Sequence, residues 1–280
     1  MSDDQQKKSV SSPEDIFPPD FVRPEMVEED TENHLRRITF PGGFSCYTQS
    51  EPAEAALIYN EIMVKQEYFQ SGLSVVDARC VIDIGANIGI FTMAMKMKAP
   101  EAAIYAFEPI PDTFKALEQN VRSLGYSDVH LFNLAIGSQD HSEKIFTYYP
   151  HMPGNSTALP TLKEIRRPVM DQIFGQEYSD FLHQSETRSV QVRTLSSVIR
   201  EQGITTVDYL KIDVEGNEVS VLEGIEEMHW PIIKQVAIEA HNAELQEQVS
   251  TILSQHGLSV LTGMGLSSGG GTSMVYAHRA

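Results

Sequence analysis

Val81–Gly89, VIDIGANIG, carries a buried strand into an acidic, glycine-punctuated turn and then into a helix. Val81, Ile82 and Ile84 form a short apolar run interrupted only by Asp83, and runs of this kind bounded by turn residues predict buried strands. Gly85 and Gly89 bracket Ala86, Asn87 and Ile88, with the following helix starting near Ile88. Glycines at these places let a ligand lie against the main chain and let the helix pack closely on its strand. The stretch is a nucleotide-type loop and predicts an α/β fold.

Its charge selects among ligands. A dinucleotide turn carries G-x-G-x-x-G so that a pyrophosphate can rest on free N–H groups at the helix start, and the third-position glycine is missing here. Asp83, just before the first glycine, repels a phosphate and welcomes a cation. A sulfonium cofactor, S-adenosylmethionine (SAM, leaving as S-adenosylhomocysteine), fits that sign. Glu108 ends the run Ala103–Phe107, 25 positions after Asp83, close to the spacing of about 20 at which an acidic residue accepts both ribose hydroxyls. A nicotinamide-dependent oxidoreductase shares strand, turn and ribose acid, but Asp83 and the missing glycine speak against it. A scaffold that holds SAM without turnover is the third reading.

With 280 residues and 41% hydrophobic content, the chain has enough apolar material for one full core with extensions. Lysine and arginine number 21 against 39 acidic residues, a net charge of −18, which disfavours nucleic acid and anionic membrane as partners. Two cysteines, Cys46 and Cys80, lack any metal-ligand or disulfide spacing, as expected of a reducing compartment. Neither a signal peptide nor a membrane-length apolar run is present, so a soluble cytoplasmic protein is expected.

Residues 1–33 are acidic and proline-rich, predicting a flexible tail; Phe17 and Phe21 would serve it as anchors if it docks or closes over the site. Residues 34–74 read as a cap: alternation over Arg36–Tyr47, broken by Pro41-Gly42-Gly43, predicts a hairpin, and Glu51–Gln70 a helix ending near Gly72. Strand, helix, strand, helix, strand follow over Arg79–Ile84, Ile88–Lys98, Ala102–Phe107, Asp112–Leu124 and His130–Asn133, the alternation of a parallel sheet. Met93, Met95 and Met97 read as core fillers. Lys144–Tyr149 is a further strand, and about residues 151–188 form an insertion with helical patterns, of the kind that is usually functional. Strands at Ser189–Arg193, Val207–Ile212 and Val236–Glu239 and helices at Leu195–Gln202 and Ala243–His256 come next. Leu258–Thr262 and Ser273–Ala277 predict an edge hairpin across a glycine-rich turn.

With VIDIGANIGIFT (81–92), YAFEPIPDTFKALEQNV (105–121), NLAIGS (133–138), VDYLKIDVEGNEVSVLEGI (207–225) and VAIEAH (236–241) in this order, the chain closely resembles FkbM-type SAM-dependent methyltransferases over about residues 75–280. The resemblance implies a class I methyltransferase fold: a Rossmann-like, mostly parallel seven-stranded sheet with the last strand antiparallel, helices on both faces, and the insertion before the fourth core strand. It implies methyl transfer to a hydroxyl of a small metabolite, such as a polyketide, peptide-polyketide or sugar, free or carrier-bound. Matched by position, Asp83, Gly85, Asn87 and Gly89 wall the methionine and sulfonium end, Glu108 holds the ribose, and Asn133 and Ala135 line the adenine, without the acidic residue many methyltransferases carry there.

KIDVEGNE brings Asp213 and Glu215 to a strand end, where ligands of such sheets collect. In an extended chain the two alternate in direction, so one faces the cofactor while the other braces the loop, and no metal is expected between them. A structural ion network closing the loop is the competing reading. His241, at the next strand end, has a pKa suited to proton removal near neutrality. The expected mechanism is in-line displacement, with His241 as base assisted by Asp213 or Glu215. Asn155, Lys211 and Glu239 are the expected substrate contacts.

Overall fold

The computed structural model describes residues 20–30, 34–264 and 272–279. Its N-terminal part is a three-stranded antiparallel sheet of β1 (Met26–Asp30), β2 (Leu35–Thr39) and β3 (Ser45–Thr48). The hairpin expected over Arg36–Tyr47 is β2 and β3. The tail expected through residue 33 is corrected in part, because β1 falls within it. The Asn60 side chain accepts from the Val22 N–H (2.8 Å) and donates to the Val22 carbonyl (2.7 Å), and Phe21 and Val22 pack on the core. Residues 1–19, with Phe17, and 31–33 lie outside the described residues.

The single helix expected over Glu51–Gln70 is also corrected. It is α1 (Pro52–Tyr59), which widens into a π turn at Asn60–Val64, reverses at Gln66 (φ 53°) and ends in a 3₁₀ turn at Glu67–Phe69. The Asn60 amide causes part of the break by bonding back to the Ala56 carbonyl as well as to Val22. Tyr68 is buried against Phe91, a tertiary contact that helical spacing does not register.

β4 (Cys80–Ile84), α2 (Ile90–Lys98), β5 (Ala103–Phe107), α3 (Pro111–Leu124) and β6 (Val129–Phe132) alternate as expected. After β7 (Ala135–Ile136) and β8 (His141–Tyr148) comes the insertion with α4 (Thr161–Phe174) and α5 (Gln176–Leu182). β9 (Glu186–Arg193), α6 (Leu195–Gln202), β10 (Tyr209–Ile212), α7 (Glu218–Glu223), β11 (Gln235–Ala240), α8 (Ala243–Gln255), β12 (Ser259–Met264) and β13 (Ser273–His278) complete the order. The main sheet runs β12-β13-β11-β10-β4-β5-β6, parallel except for β13, which is antiparallel to both its neighbours. This is the expected seven-stranded arrangement. β7, β9 and β8 make a second small sheet, since the strands either side of the insertion pair antiparallel with each other. The glycine-rich turn between β12 and β13 lies outside the described residues.

Alternation along the strands divides the core. Val81, Ile104 and Tyr209 face the cap and meet Ile38, Phe40 and Tyr68. Ile82, Ile84 and Leu210 face the opposite layer and meet Leu195, Trp230 and Val249. Cap and sheet thus share one apolar interior. Met93 and Met95 are buried while Met97 is exposed, and both cysteines are buried free thiols. Among the described residues no helix is long and apolar enough to cross a membrane.

Candidate active site

The turn after β4 is shaped by three left-handed residues, Gly85 (φ 78°), Asn87 (φ 51°) and Gly89 (φ 90°). A Cβ on Gly85 would lie 1.7 Å from the Asp213 carbonyl oxygen, so this glycine lets the ends of β4 and β10 touch. Every amide of the turn is already used. Gly85 and Ala86 donate to the Phe107 carbonyl (3.0 and 2.9 Å), Asn87 to Glu108 Oε2 (3.0 Å), Ile88 to Asn87 Oδ1 (2.6 Å) and Gly89 to the Ala86 carbonyl (2.9 Å). No N–H from residue 85 to 89 is left for a phosphate.

A cleft of about 350 Å³ opens at the carboxyl ends of β4, β5 and β10, within the roughly 300–1,000 Å³ range of small-ligand sites. Ile84, Phe107, Leu134, Ala135 and Val192 supply an apolar flank, and Asp213 and Glu215 an acidic end. Glu108 stands between, held by two amides, Asn87 N–H on Oε2 and Ile110 N–H on Oε1 (2.9 Å). Burial pushes its carboxyl up to about 7 against the pull of those N–H groups. One lone pair of each oxygen remains for hydroxyl donors.

Of the expected site residues, Gly85, Asn87, Glu108, Ala135, Asp213 and Glu215 line the cleft. The others act behind it. Asp83 is fully buried, accepting from Thr92 Oγ1 (2.7 Å) and lying 3.3 Å from Lys211 Nζ. Lys211 donates to the Gly85 carbonyl (2.6 Å) and stands 3.5 Å from Asp213, so its ammonium is spent inside the protein rather than offered to a substrate. Burial favours its neutral form, but Asp83 and Asp213 outweigh this and raise its pKa. Gly89 packs under Leu117. Asn133 donates to the Glu108 and Pro109 carbonyls (2.8 and 3.1 Å), bracing the segment that follows β5. Asn155 bonds Lys163, and Glu239 is buried against Tyr68.

Asp213 and Glu215 do not alternate as an extended chain would. Glu215 adopts φ 54° and Gly216 φ 105°, so the chain turns back and both carboxylates converge on His241. His241 Nε2 is 2.8 Å from Glu215 Oε2 and 4.0 Å from Asp213 Oδ1, and Nδ1 is 2.8 Å from Glu218 Oε1. Burial favours the neutral ring, but Glu215 and Glu218 outweigh it and raise the His241 pKa well above the ordinary value. Each ring nitrogen faces a carboxylate oxygen at hydrogen-bond distance. A ring that donates from both sides has no lone pair to receive a proton, so this geometry speaks against the expectation of His241 as general base. Asp213, Glu239 and His241 hold ligand-type atoms within 4.8 Å of one another, yet a metal there would have to displace Glu215 or Glu218 from the ring.

Two groups escaped sequence reasoning. The Tyr68 hydroxyl, brought in by the broken helix, lies 3.2 Å from both Asp213 Oδ2 and Glu239 Oε2. Lys163 of α4 is buried, with its ammonium on Asn155 and Glu215. Neither sits in a motif. The only local sign for Lys163 was its place within the insertion.

Residues 83–259 match the methyltransferase FkbM domain. Methyltransferase 1 of Beauveria bassiana (strain ARSEF 2860) is 33% identical over 207 residues, covering 73% of this chain and 81% of that protein. Methyltransferase sdnD of Sordaria araneosa is 33% identical over 218 residues, 74% of this chain and 83% of that one. The 31-O-demethyl-FK506 methyltransferase FkbM of Streptomyces tacrolimicus is 33% identical over 225 residues, again 74% and 83%.

Proposed function

The chain belongs to the FkbM methyltransferase family, and we propose that it transfers the methyl group of SAM to a hydroxyl of a small metabolite. One observation carries the cofactor reading: the turn from Gly85 to Gly89 keeps none of its amides for an anion, while Asp213 and Glu215 make the adjoining end of the cleft acidic. A pyrophosphate would be repelled there, and a cationic amino-acid tail attracted. This also speaks against the nicotinamide reading.

When bound, SAM supplies a methyl carbon made electrophilic by its sulfonium. Glu108 offers a free lone pair on each oxygen to the two ribose hydroxyls, and the apolar flank around Leu134 and Ala135 suits an adenine face. As the new C–O bond formed and the S–CH3 bond broke, releasing S-adenosylhomocysteine, the acceptor hydroxyl would lose its proton, and Asp213 is the group we assign to take it. A carboxylate suffices, because the attacking oxygen turns cationic and far more acidic than a free alcohol. Alignment supplies most of the acceleration, several kcal/mol, with proton removal adding roughly a hundredfold or more. His241 acts through Glu215 as a positioning residue. The hydroxyl acceptor is supported by the relative whose name gives it an O-demethyl substrate. The insertion, whose Pro153, Gly154 and Ser156 line the cleft, is where selection among polyketide, peptide-polyketide and sugar acceptors would lie, free or carrier-bound.

Calorimetric titration of the wild type and of Glu108→Gln with SAM and with S-adenosylhomocysteine tests the reading. Micromolar binding, about −8 kcal/mol, weakened in the variant, is the expected result. A folded wild type that binds neither compound would overturn it. Binding without S-adenosylhomocysteine formation across hydroxylated acceptors would make the protein a scaffold.

A further inference from the structure

The insertion reaches the acidic end of the cleft through a cation. Lys163 leaves only 6% of its surface exposed, and its ammonium is shared between Asn155 Oδ1 (3.0 Å) and Glu215 Oε2. That same carboxylate oxygen accepts from His241 Nε2 at 2.8 Å. The contact is reinforced on either side. Thr157 Oγ1 donates to the Glu215 carbonyl (2.7 Å), and Leu162 occupies the space a side chain on Gly216 would need, 2.3 Å from an added Cβ. The insertion therefore grips the Glu215 turn by its backbone, its charge and its apolar surface.

We propose that Lys163 is a positioning residue of the reaction centre: aimed by Asn155, it fixes the Glu215 carboxylate against His241, so that seating of the insertion and assembly of the acidic end are one event. Burial alone would drive Glu215 towards its protonated form. Two cations on one oxygen reverse this and hold the carboxyl below its ordinary range. The other titratable groups acting on Glu215 or on its partner are Glu54 of α1, Tyr149, Asp213, Glu239 of β11 and Glu218 of α7, and none of them supplies a further positive charge. Without Lys163, the ion pair left to Glu215 among the described residues is with His241, which is shared with Glu218. The consequence for turnover rests on the methyl-transfer reading; the electrostatic consequence does not.

The test follows the ¹³C carboxyl resonance of Glu215 through a pH titration of the full chain without cofactor, alongside steady-state kinetics. In Lys163→Met the Glu215 midpoint rises by about one pH unit or more. Lys163→Arg keeps it low. Leu162→Ala, which loosens packing and leaves the charge, does not move it. For turnover, Lys163→Met lowers kcat by about ten- to a hundredfold, leaves the KM for SAM close to that of the wild type, and moves the acid limb of the kcat profile to higher pH; Lys163→Arg restores part of the rate. Should Lys163→Met fail to fold, Asn155→Ala carries the same test, giving a smaller shift of Glu215 in the same direction. An unchanged Glu215 midpoint in the folded variant, or a kcat loss matched by Leu162→Ala with no movement of the acid limb, overturns the proposal. A wild type that neither binds SAM nor turns over defeats the methyl-transfer reading while the carboxyl titration still decides the role of Lys163.

Discussion

His241 Nε2 lies 2.8 Å from Glu215 Oε2, and with Nδ1 equally close to Glu218 the ring is clamped between two carboxylates, Glu218 buried and Glu215 partly so. The folded-state pKa of His241 is raised above its unfolded value. Its contribution to stability is therefore whole below the unfolded pKa and is lost as pH rises through the folded one. Removing one partner of such a buried arrangement costs about 3–5 kcal/mol. Urea unfolding of wild type and His241→Gln should show a gap of that order at pH 7 that narrows towards alkaline pH. Nitrogen NMR should find both ring nitrogens protonated at pH 8, and a neutral ring there would return His241 to the role of base.

On the proposed SAM reading, Glu108 should make cofactor binding pH-dependent. Burial holds its carboxyl near 7, and the ionised form offers the better acceptor to ribose hydroxyls. Affinity for SAM and S-adenosylhomocysteine should accordingly fall as pH drops below 7, by up to about tenfold per pH unit. Glu108→Gln should bind more weakly at pH 8 and lose most of this dependence. Titrations at pH 6, 7 and 8 distinguish the two behaviours.

The two loop glycines differ in what they tolerate. An added Cβ on Gly85 meets the Asp213 backbone oxygen at 1.7 Å, whereas on Gly89 it meets the movable end of Leu117 at 2.6 Å. Gly89→Ala should lose about 1–3 kcal/mol, chiefly for its left-handed backbone, and keep cofactor binding. Gly85→Ala should lose more and bind poorly, because β4 and β10 must separate. Melting temperatures and binding of the pair provide the comparison.

Lys211 neutralises Asp83 in the interior. Lys211→Met leaves a fully buried carboxylate without its cation and should destabilise by about 3–5 kcal/mol. Adding Asp83→Asn should recover part of that loss, since residues in one ion pair couple strongly. A double-mutant cycle by chemical denaturation measures the coupling, and additive losses would separate the two residues.

The central sheet was legible because its strands are continuous apolar runs and each crossover helix announces itself by spacing. β1 was not: Met26–Asp30, MVEED, is mostly exposed and acidic and has no buried face to mark it. The glycine loop was legible because its glycines mark left-handed backbone, and the place of Glu108 because it follows the end of a strand. Asp83 was read correctly as an acid beside the first glycine and misplaced, since only the fold shows Lys211 behind it. Glu215 misled through the assumption of an extended chain, which its left-handed φ breaks. Tyr68 lies 145 positions from the Asp213 it bonds, and no local pattern spans such a distance.

The Tyr209 hydroxyl donates to the Tyr68 carbonyl, and the Tyr276 hydroxyl to the Glu67 carbonyl at 2.7 Å. Residues 67 and 68 are thereby sewn to both the middle and the last strand of the sheet. The unit that can be moved as a piece is consequently larger than the stretch that identifies the family. A fragment cut at residue 83 would bare the Phe91 and Ile104 side of the sheet to water and discard the phenol beside Asp213. Grafting this catalyst into a multienzyme, or trimming it for expression, requires a boundary ahead of Phe21, with the cap treated as a structural wall of the transplanted module.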